Sequence, residues 1–407
     1  MSSPISRSRL RGASVFVVAF AALASPLAAE PLTESEAVER ALARPEFSAL
    51  GEANRDEAQA RVSGIRSLDN PEATVSRESV SGGGRSETEW QVGVVQPIDL
   101  SGKRSRLRAA ARAEVGAVEA ETARRRQTRV AEVRRAYAAC ASGTERLRVM
   151  HGFAERLREA ERIVAARADA GDAAVYDLRR LRVEARAAEA ETMVQMGESK
   201  AGCATLSALT GVEQAQTAAS LTLLASGVAS PPAGATRPDL LAREQRLAAA
   251  ADRVRAAQRA RLPDLLVGAG LKRVSGDGSS AMGPVASIGM RVPIFDSGRA
   301  AVAEAQARLR AQQAELGLAR QEIDATVAAA EARSEAAAAA LERVQQAAED
   351  ARRLGPIAEA AYEGGEGNVT ELVDAYRAAR DAELNIVQQL ERVIQARIEL
   401  DLARGTL

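Results

Sequence analysis

The sequence is poor in aromatic residues, histidine and cysteine. Aromatic residues make up 2% of the 407 residues, and there are only one histidine and two cysteines. So few imidazole and sulfur groups exclude a metal site rich in those ligands, and we expect no cofactor. Alanine, arginine, glutamate and glutamine fill long tracts instead, which is typical of long helices packed on one another rather than of a compact mixed core.

The chain also lacks an excess of charge of either sign. Lysine and arginine total 55, aspartate and glutamate also total 55, and the formal net charge is zero. This balance gives no reason to expect nucleic acid as a partner.

Long apolar runs are missing beyond the N-terminus. Residues 1–29 combine three arginines, a short apolar segment at 13–24 and small residues that precede Glu30. This pattern predicts a cleaved secretory signal peptide, because the apolar segment is too short for a good membrane span; an uncleaved anchor is the alternative. We therefore expect an exported mature chain without a transmembrane helix.

Sequence signatures of enzymes are missing as well. Gly82-Gly83-Gly84 is not followed by the start of a helix, so it does not fit a phosphate-binding loop. His151 has no cysteine or other histidine near it and is expected to lie on a helix face. Because the spacing assembles no nucleophile, base and orienting group, we do not expect an enzyme.

The sequence does contain a tandem duplication. Four landmarks recur in the same order, at offsets between 192 and 196 residues. The pairs are Pro45 and Pro238, Pro71 and Pro263, Pro97 and Pro293, and Gly171 and Gly365. Because the landmarks differ in kind yet keep nearly one offset, they predict two structural repeats, 30–232 and 233–407.

Each repeat is predicted to contain a helix, a β-hairpin, a very long helix and a further helix. In the first repeat the hairpin is expected at about 73–97, the long helix at about 103–167, the next helix at about 174–209 and a linker at 211–234. In the second repeat the corresponding elements are expected at about 265–293, 299–362 and 369–404. The predicted fold class is therefore mainly α with a small β part, and each long helix spans about 100 Å at 1.5 Å per residue.

Each hairpin is predicted to run directly into its long helix through a motif that occurs twice. The two copies are Gln96-Pro97-Ile98-Asp99-Leu100-Ser101-Gly102-Lys103-Arg104 and Val292-Pro293-Ile294-Phe295-Asp296-Ser297-Gly298-Arg299. Proline cannot continue a central sheet ladder, and glycine permits the turn that follows, so the motifs predict strand-to-helix joints. The joint residues are Pro97, Gly102, Pro293 and Gly298, and Ser101 or Ser297 can cap the helix that follows.

The predicted strands alternate between apolar residues and polar or small residues. This alternation suits one face on lipid and one on a water-filled lumen, and Trp90 on the apolar face suits a membrane interface. Four strands cannot close a barrel, and open sheet edges are not tolerated in lipid. We therefore expect a homo-oligomer that pools its strands, and three chains would supply twelve.

Several motifs together resemble the TolC-like outer-membrane efflux protein family. They are Pro-Ile-Asp-Leu-Ser-Gly-Lys-Arg and Pro-Ile-Phe-Asp-Ser-Gly-Arg at the joints, Ala170-Gly171-Asp172, and Tyr362-Glu363-Gly364-Gly365-Glu366. The resemblance covers the mature chain and implies a homotrimer. It also implies a twelve-stranded β-barrel in the outer membrane of a Gram-negative bacterium, continued across the periplasm by a long α-helical barrel. The first joint is most similar to the cobalt-zinc-cadmium resistance branch of the family.

The resemblance implies transport without chemistry. The expected partners are a periplasmic membrane-fusion adaptor, an inner-membrane efflux pump of the RND type, and outer-membrane lipid. The expected cargo is divalent heavy-metal cations. Three alternatives remain open at this stage: a duct for organic drugs, a duct for type I protein secretion, and a periplasmic coiled-coil adaptor.

Two regions near the helix breaks carry the functional expectations that follow from the resemblance. The first is the pair of hairpin tips, which in the family close the periplasmic end and meet the adaptor. The predicted contact residues are Asp169, Gly171, Asp172, Gly364, Gly365, Glu366, Gly367 and Asn368. The alternative is that these glycines only end their helices.

The second region is acidic. Glu371 and Asp374 match positions where family members place a pore constriction, and Asp177 is the first-repeat counterpart of Glu371. Because Glu371 and Asp374 are three apart, they share a helix face, and we expect both to point into the lumen. A ring of carboxylates would favour cations. The alternative is an ordinary solvated helix face.

The two cysteines are placed almost symmetrically about the first helix break. Cys140 lies before Gly171 by nearly the same distance as Cys203 lies after it. If the two helices fold back antiparallel, the two sulfurs sit at nearly one height, and an exported protein permits a disulfide. The spacing does not show which way the side chains face, so two separate buried cysteines are the alternative.

Overall fold

The computed structural model describes residues 31–66, 68–226, 237–276, 278–292, 295 and 297–407. The predicted signal segment 1–29 and the joint residue Pro293 lie outside the described residues. Within them, the helices are α1 Glu34–Leu42, α2 Pro45–Gly64, α3 Lys103–Asp169, α4 Val175–Thr210, α5 Leu221–Ser226, α6 Pro238–Arg259, α7 Arg299–Glu363 and α8 Val369–Arg404. The strands are β1 Glu72–Gly82, β2 Arg85–Ile98, β3 Asp264–Gly276 and β4 Ser279–Arg291. The prediction of a mainly helical fold with a small β part is confirmed.

The two long helices dominate the molecule. Helix α3 has 67 residues and α7 has 65, so each is about 100 Å long. The interior face of α3 is built largely from alanine and valine, such as Ala131 and Val133, and that of α7 largely from alanine. Small side chains let neighbouring helices approach closely, so the core is long and thin. None of the described helices combines the length and the apolarity needed to cross a bilayer.

Short helices are stacked end to end beside the long ones. The left-handed C-cap Gly211 of α4 lies against Arg44, which directly precedes α2. In the same way, the left-handed C-cap Gly405 of α8 lies against Arg237, which directly precedes α6. A Cβ built on either glycine would collide with the arginine side chain. The two halves of the chain therefore repeat the same junction, as expected for a duplicated sequence.

The four strands form one antiparallel sheet in the order β1-β2-β3-β4. Gly83 and Gly84, with φ of 62° and 84°, make a two-residue turn between β1 and β2. Two positive φ values are what a type I′ hairpin turn requires, so both strands continue up to the turn. The register is unbroken across all three strand pairs.

Part of the predicted linker 211–234 is structured. Leu32 and Thr217 form a β-bridge, and the Tyr137 hydroxyl donates to the Leu32 carbonyl at 2.7 Å. The same hydroxyl accepts from the backbone N–H of Ala218 at 3.1 Å. Leu221 on α5 is buried against α3 and α8. The prediction of a plain linker is therefore wrong for 211–226, because its apolar side chains and backbone groups find partners on the helices.

Cys140 on α3 and Cys203 on α4 are joined by a disulfide, with their Cα atoms 4.5 Å apart. Two glycines let the helices come this close. A Cβ on Gly143 would lie 3.1 Å from the Ser199 Cα, and one on Gly202 would lie 3.5 Å from a carbonyl of α3. Gly143 and Gly202, which lie close to the cysteines in the sequence, are the signal that the two helices can approach closely enough for a disulfide.

Candidate functional site at the hairpin tips

The first tip is a glycine-based turn between α3 and α4. Gly171 has φ of 87°, its N–H donates to the Ala168 carbonyl at 3.0 Å, and the Asp172 N–H donates to the Arg167 carbonyl at 2.8 Å. This pair of bonds is the Schellman motif, which satisfies the last carbonyls of a helix. A Cβ on Gly171 would meet nothing within 4 Å. The backbone conformation, rather than crowding, is what requires glycine here.

The second tip, between α7 and α8, repeats this geometry. Gly365 has φ of 75°, and its N–H donates to the Tyr362 carbonyl at 3.2 Å. The Glu366 N–H donates to the Ala361 carbonyl at 2.9 Å. Every predicted tip residue is exposed except Gly367, which is half-buried. The exposed set is Asp169, Gly171, Asp172, Gly364, Gly365, Glu366 and Asn368. These residues are accessible at the surface of the chain.

The helices that leave the two tips begin differently. Ala174 precedes α4 and offers no side-chain acceptor. Asn368 precedes α8 and forms a capping box: its Oδ1 accepts from the Glu371 N–H at 3.0 Å, and Glu371 Oε2 accepts from the Asn368 N–H at 3.2 Å. The Glu371 carboxylate therefore folds back onto the start of its helix, where its negative charge also interacts favourably with the positive end of the helix dipole. The spacing Asn-x-x-Glu carries this signal, and the sequence analysis overlooked it.

Asp374 lies one turn further along α8. Its side chain is 61% exposed, and a carboxylate oxygen is 3.8 Å from Arg377 Nη1. The other terminal nitrogen of Arg377 donates to Glu184 of α4 at 2.5 Å. Val369, Leu372 and Val373 are buried on the neighbouring face. The predicted acidic stripe therefore borders an arginine that the sequence analysis missed.

A second arginine on α8 joins the two repeats. The Arg380 guanidinium lies 4.5 Å from the centre of the Phe153 ring on α3, and it is 3.7 Å from a carboxylate oxygen of Glu191 on α4. Beneath these contacts, apolar side chains of α3, α4 and α8 form one buried cluster. Its members are Phe153, Ala154, Leu157, Ala160, Val164, Leu181, Ala185, Ala188, Val369, Leu372, Val373 and Tyr376. The two tips are thus held together by a packed core with ion pairs at its edge.

Two tyrosines attach the end of α7 to its neighbours. Tyr376 of α8 donates to Glu359 at 2.7 Å, and burial together with that bond raises the pKa of Tyr376. The Arg167 guanidinium lies 5.4 Å from the centre of the Tyr362 ring. Burial, followed by the negative charge of Asp177, raises the pKa of Tyr362, while Arg167 opposes the shift. Asp177 of the first repeat therefore acts electrostatically on the second repeat.

The arrangement contains no reactive constellation. In the part of the chain that the structure describes, no three carboxylate, histidine or cysteine side chains converge as metal ligands. What it provides is a helical end that carries exposed carboxylates and is tied together by arginines. The exposed carboxylates can attract cations, and the arginine contacts can hold the two hairpins together.

The first strand-to-helix joint is organised by Asp99. Its carboxylate accepts from the Ser101 N–H at 3.0 Å, the Ser101 hydroxyl at 2.6 Å and the Arg104 N–H at 3.1 Å. Although burial disfavours the charged form, these bonds outweigh it and hold the pKa of Asp99 below its usual range. Ser101 Oγ accepts from the Lys103 N–H, the first N–H of α3, at 3.2 Å, but the N-cap position itself is Gly102 and not the predicted Ser101. Lys103 Nζ forms an ion pair of 2.7 Å with a carboxylate oxygen of Asp264, at the start of β3.

Arginines at the end of α6 and just beyond it contact both joints. Gly102 and Gly298 precede the long helices with φ of 69° and 67°. Arg259 donates to the Gly102 carbonyl at 3.4 Å, and Arg261 donates to the Ser297 carbonyl at 3.0 Å. The joints of the two repeats are therefore held side by side. Nothing in the local sequence pattern distinguishes these two arginines, so their role could not be predicted.

Comparison with known proteins agrees with the geometry. The family model "Outer membrane efflux protein" matches residues 31–212 and 231–406. The chain is 30% identical over 330 residues to the nickel-cobalt-cadmium resistance protein NccC of Alcaligenes xylosoxydans xylosoxydans, covering 78% of this chain and 74% of that protein.

Solved structures share the fold. CusC superposes with a TM-score of 0.76 at 20% identity, covering 92% of each chain. The outer membrane protein VceC of Vibrio cholerae superposes with a TM-score of 0.73 at 21% identity, covering 92% of this chain and 96% of that one. The resemblance found in the sequence is confirmed. The chain belongs to the outer membrane efflux protein family, whose members are channels and not enzymes.

Proposed function

We propose that this chain is the outer-membrane channel of a tripartite efflux system in a Gram-negative bacterium. As a homotrimer it accepts substrate from an inner-membrane pump of the RND type and a periplasmic membrane-fusion adaptor, and it releases that substrate outside the cell. The observation that carries this proposal is a four-stranded sheet mounted on helices about 100 Å long, in which the outer edges of β1 and β4 pair with no other strand of the described residues.

The two faces of the sheet support a membrane position. One face carries apolar side chains, and the other carries glycines together with an ion pair of 2.5 Å between Lys272 and Glu89. We call these the apolar face and the polar face. The apolar face includes Val75, Trp90, Val92, Val94, Val267, Leu271 and Ile288. This division suits lipid outside and water inside a barrel that three chains close with twelve strands.

Exposed apolar side chains on the helices support the trimer. Val183, Met193 and Val194 on α4 are exposed, and so are Leu318 and Ile357 on α7. Burying these side chains between copies would stabilise an assembly by removing apolar surface from water. Neighbouring copies in an α-helical barrel would cover them.

We propose divalent heavy-metal cations as the cargo. The support is the similarity to NccC, a nickel-cobalt-cadmium resistance protein by name, together with the exposed carboxylates near the tips. The first joint motif, with Asp99, Ser101 and Lys103 in defined contacts, is the stretch that most resembles the heavy-metal branch. No feature of the described residues favours organic drugs or secreted proteins.

Deletion of the gene tests the proposal. The deletion strain and a complemented strain are compared for growth on nickel, cobalt, cadmium and zinc salts and on a panel of organic drugs. We expect lost metal resistance, unchanged drug resistance and full recovery on complementation. Sensitivity to drugs alone would contradict the cargo, and unchanged resistance to both panels would contradict the efflux role.

A further inference from the structure

Two arginines flank the tryptophan on the apolar face of the sheet. Arg77 of β1 is paired directly with Trp90 of β2, and Trp90 is paired directly with Arg273 of β3. Directly paired residues in antiparallel strands point to the same face, with Cβ atoms about 5 Å apart. The Arg77 guanidinium lies 5.5 Å from the centre of the Trp90 ring. We call these three residues the arginine–tryptophan row.

The row lies where the apolar face ends. On the side of the row nearer the long helices, the next residues on the apolar face are Val75, Val92 and Leu271. On the other side, Ser79 and Thr88 are hydrogen-bonded at 3.3 Å. Because the long helices join the opposite end of the strands, the row lies in the half of the sheet that is distal to the helices. An aromatic residue between an apolar band and a polar one marks a membrane interface.

Charges are divided between the two faces. The acidic residues of the four strands all share the polar face with Lys272: Glu72, Glu78, Glu87, Glu89 and Asp264. In the described strands, therefore, the apolar face presents the two guanidinium groups of the row and no carboxylate. A guanidinium in lipid is costly without an anionic partner. The sheet itself places no such partner on this face.

We propose that the arginine–tryptophan row binds the phosphate of a phosphorylated lipid in the outer leaflet. A guanidinium presents paired donors that match phosphate oxygens, and the indole fills the space at the headgroup level. This inference rests on the proposed position of the sheet in the outer membrane. It adds a lipid site that is separate from the transport path, because the row and the lumen lie on opposite faces.

The test measures lipid binding to the purified trimer by native mass spectrometry. The probes are diphosphorylated lipid A, the same lipid after enzymatic dephosphorylation, and phosphatidylcholine. The variants are Arg77→Gln with Arg273→Gln, and Arg77→Gln alone in case the double variant assembles poorly. Lys272→Gln is the matched control, because it removes a cation from the neighbouring position on the polar face.

We expect the parent trimer to retain diphosphorylated lipid A and to lose it on dephosphorylation. The double variant should bind at least about tenfold more weakly, the single variant should show part of that loss, and Lys272→Gln should match the parent. Equal binding by the double variant, equal binding of the dephosphorylated lipid, or the same loss in Lys272→Gln would overturn the lipid site. Membrane fractionation of the same strains separates these results from a failure of the proposed function, which would show as parent protein outside the outer membrane.

Discussion

Arg377 of α8 donates to the Glu184 carboxylate of α4 at 2.5 Å. This contact connects the second hairpin to the first within a few turns of both tips. Loss of this contact should loosen the edge between the two hairpins, while the buried cluster beneath it keeps the fold intact because that cluster does not depend on the charge.

Replacing Arg377 with glutamine should make the channel open more often. A partly exposed ion pair contributes about 1 kcal/mol or less, so the closed state should lose up to about fivefold in population while the fold remains intact. Conductance of the trimer in planar bilayers measures this change. The control is Arg308→Gln, which removes an arginine that pairs within its own helix with Glu304 at 2.6 Å. If both variants behave like the parent, the cross-repeat contact does not hold the tips closed.

Substitutions at Glu371 and Asp374, the acidic pair near the second tip, can distinguish the effect of charge from the effect of helix capping. Glu371→Gln keeps a side chain that can complete the capping box, since glutamine serves that role as well as glutamate. Together with Asp374→Asn, it should lower cation selectivity and weaken block by multivalent cations added on the periplasmic side.

Glu371→Ala provides the comparison for this pair, because it removes the charge together with the bond that the Glu371 carboxylate accepts from the Asn368 N–H, while Asn368 still caps the N–H of residue 371. That variant should also destabilise the start of α8 by about 1 kcal/mol, the usual net contribution of one hydrogen bond. Unchanged selectivity in the double variant would mean that these carboxylates form an ordinary solvated face and that the constriction lies elsewhere.

The tip glycines should tolerate no side chain. Valine at Gly171 or Gly365 would have to adopt a positive φ, at a cost of about 1–2 kcal/mol, and would present a bulky group where the tips are exposed. We expect efflux to fall more than trimer assembly does. Gly317→Ala is the control, because that glycine lies inside α7 with open space around it. Equal losses of trimer and of resistance would argue against a docking role for the tips.

The junction between α8 and α6 should depend on pH through Asp239. Its carboxylate accepts two bonds from Arg237, at 3.0 and 2.6 Å, and Arg237 also donates to the Ala403 carbonyl at 2.7 Å. Burial opposes ionisation of Asp239, but the bonds and charge of Arg237, aided by Arg124, lower its pKa. A lowered pKa in the folded state means stability that is present above about pH 3.9, the unfolded value, and lost as the pH falls through the folded pKa.

Asp239→Asn should therefore unfold at a lower temperature than the parent at pH 7, and the gap should close as the pH falls below about 3.9. Thermal unfolding of the trimer between pH 7 and pH 3 measures it. Glu46→Gln is the matched control, because Glu46 is the first-repeat counterpart, is 75% exposed and lies 3.4 Å from Arg44. A gap that stays constant with pH would contradict the electrostatic role of Asp239.

The duplication and the joints could be predicted because they depend on proline and glycine, whose backbone limits are local. The positive φ values of Gly171, Gly365 and Gly102 follow from the same chemistry. The two-residue length of the turn at Gly83 and Gly84 could not be predicted, because a run of glycines is equally compatible with a longer loop.

The contacts between distant residues could not be predicted. Charged residues make up 27% of the chain, so nothing distinguishes Arg377, Arg259 or Arg261 from the other arginines on exposed helix faces. Their partners are brought near by the packing of whole helices. The structure of the segment 211–226 likewise depends on Tyr137, which lies more than 70 residues earlier.

The central claim is that three copies of this chain form one channel in the outer membrane. The most direct measurement is the mass of the purified complex, corrected for detergent, after extraction from the outer-membrane fraction. We expect three chains, each beginning after Ala29. A monomer or a dimer would contradict it, because four or eight strands from this chain would not make the twelve-stranded barrel on which the proposed function depends.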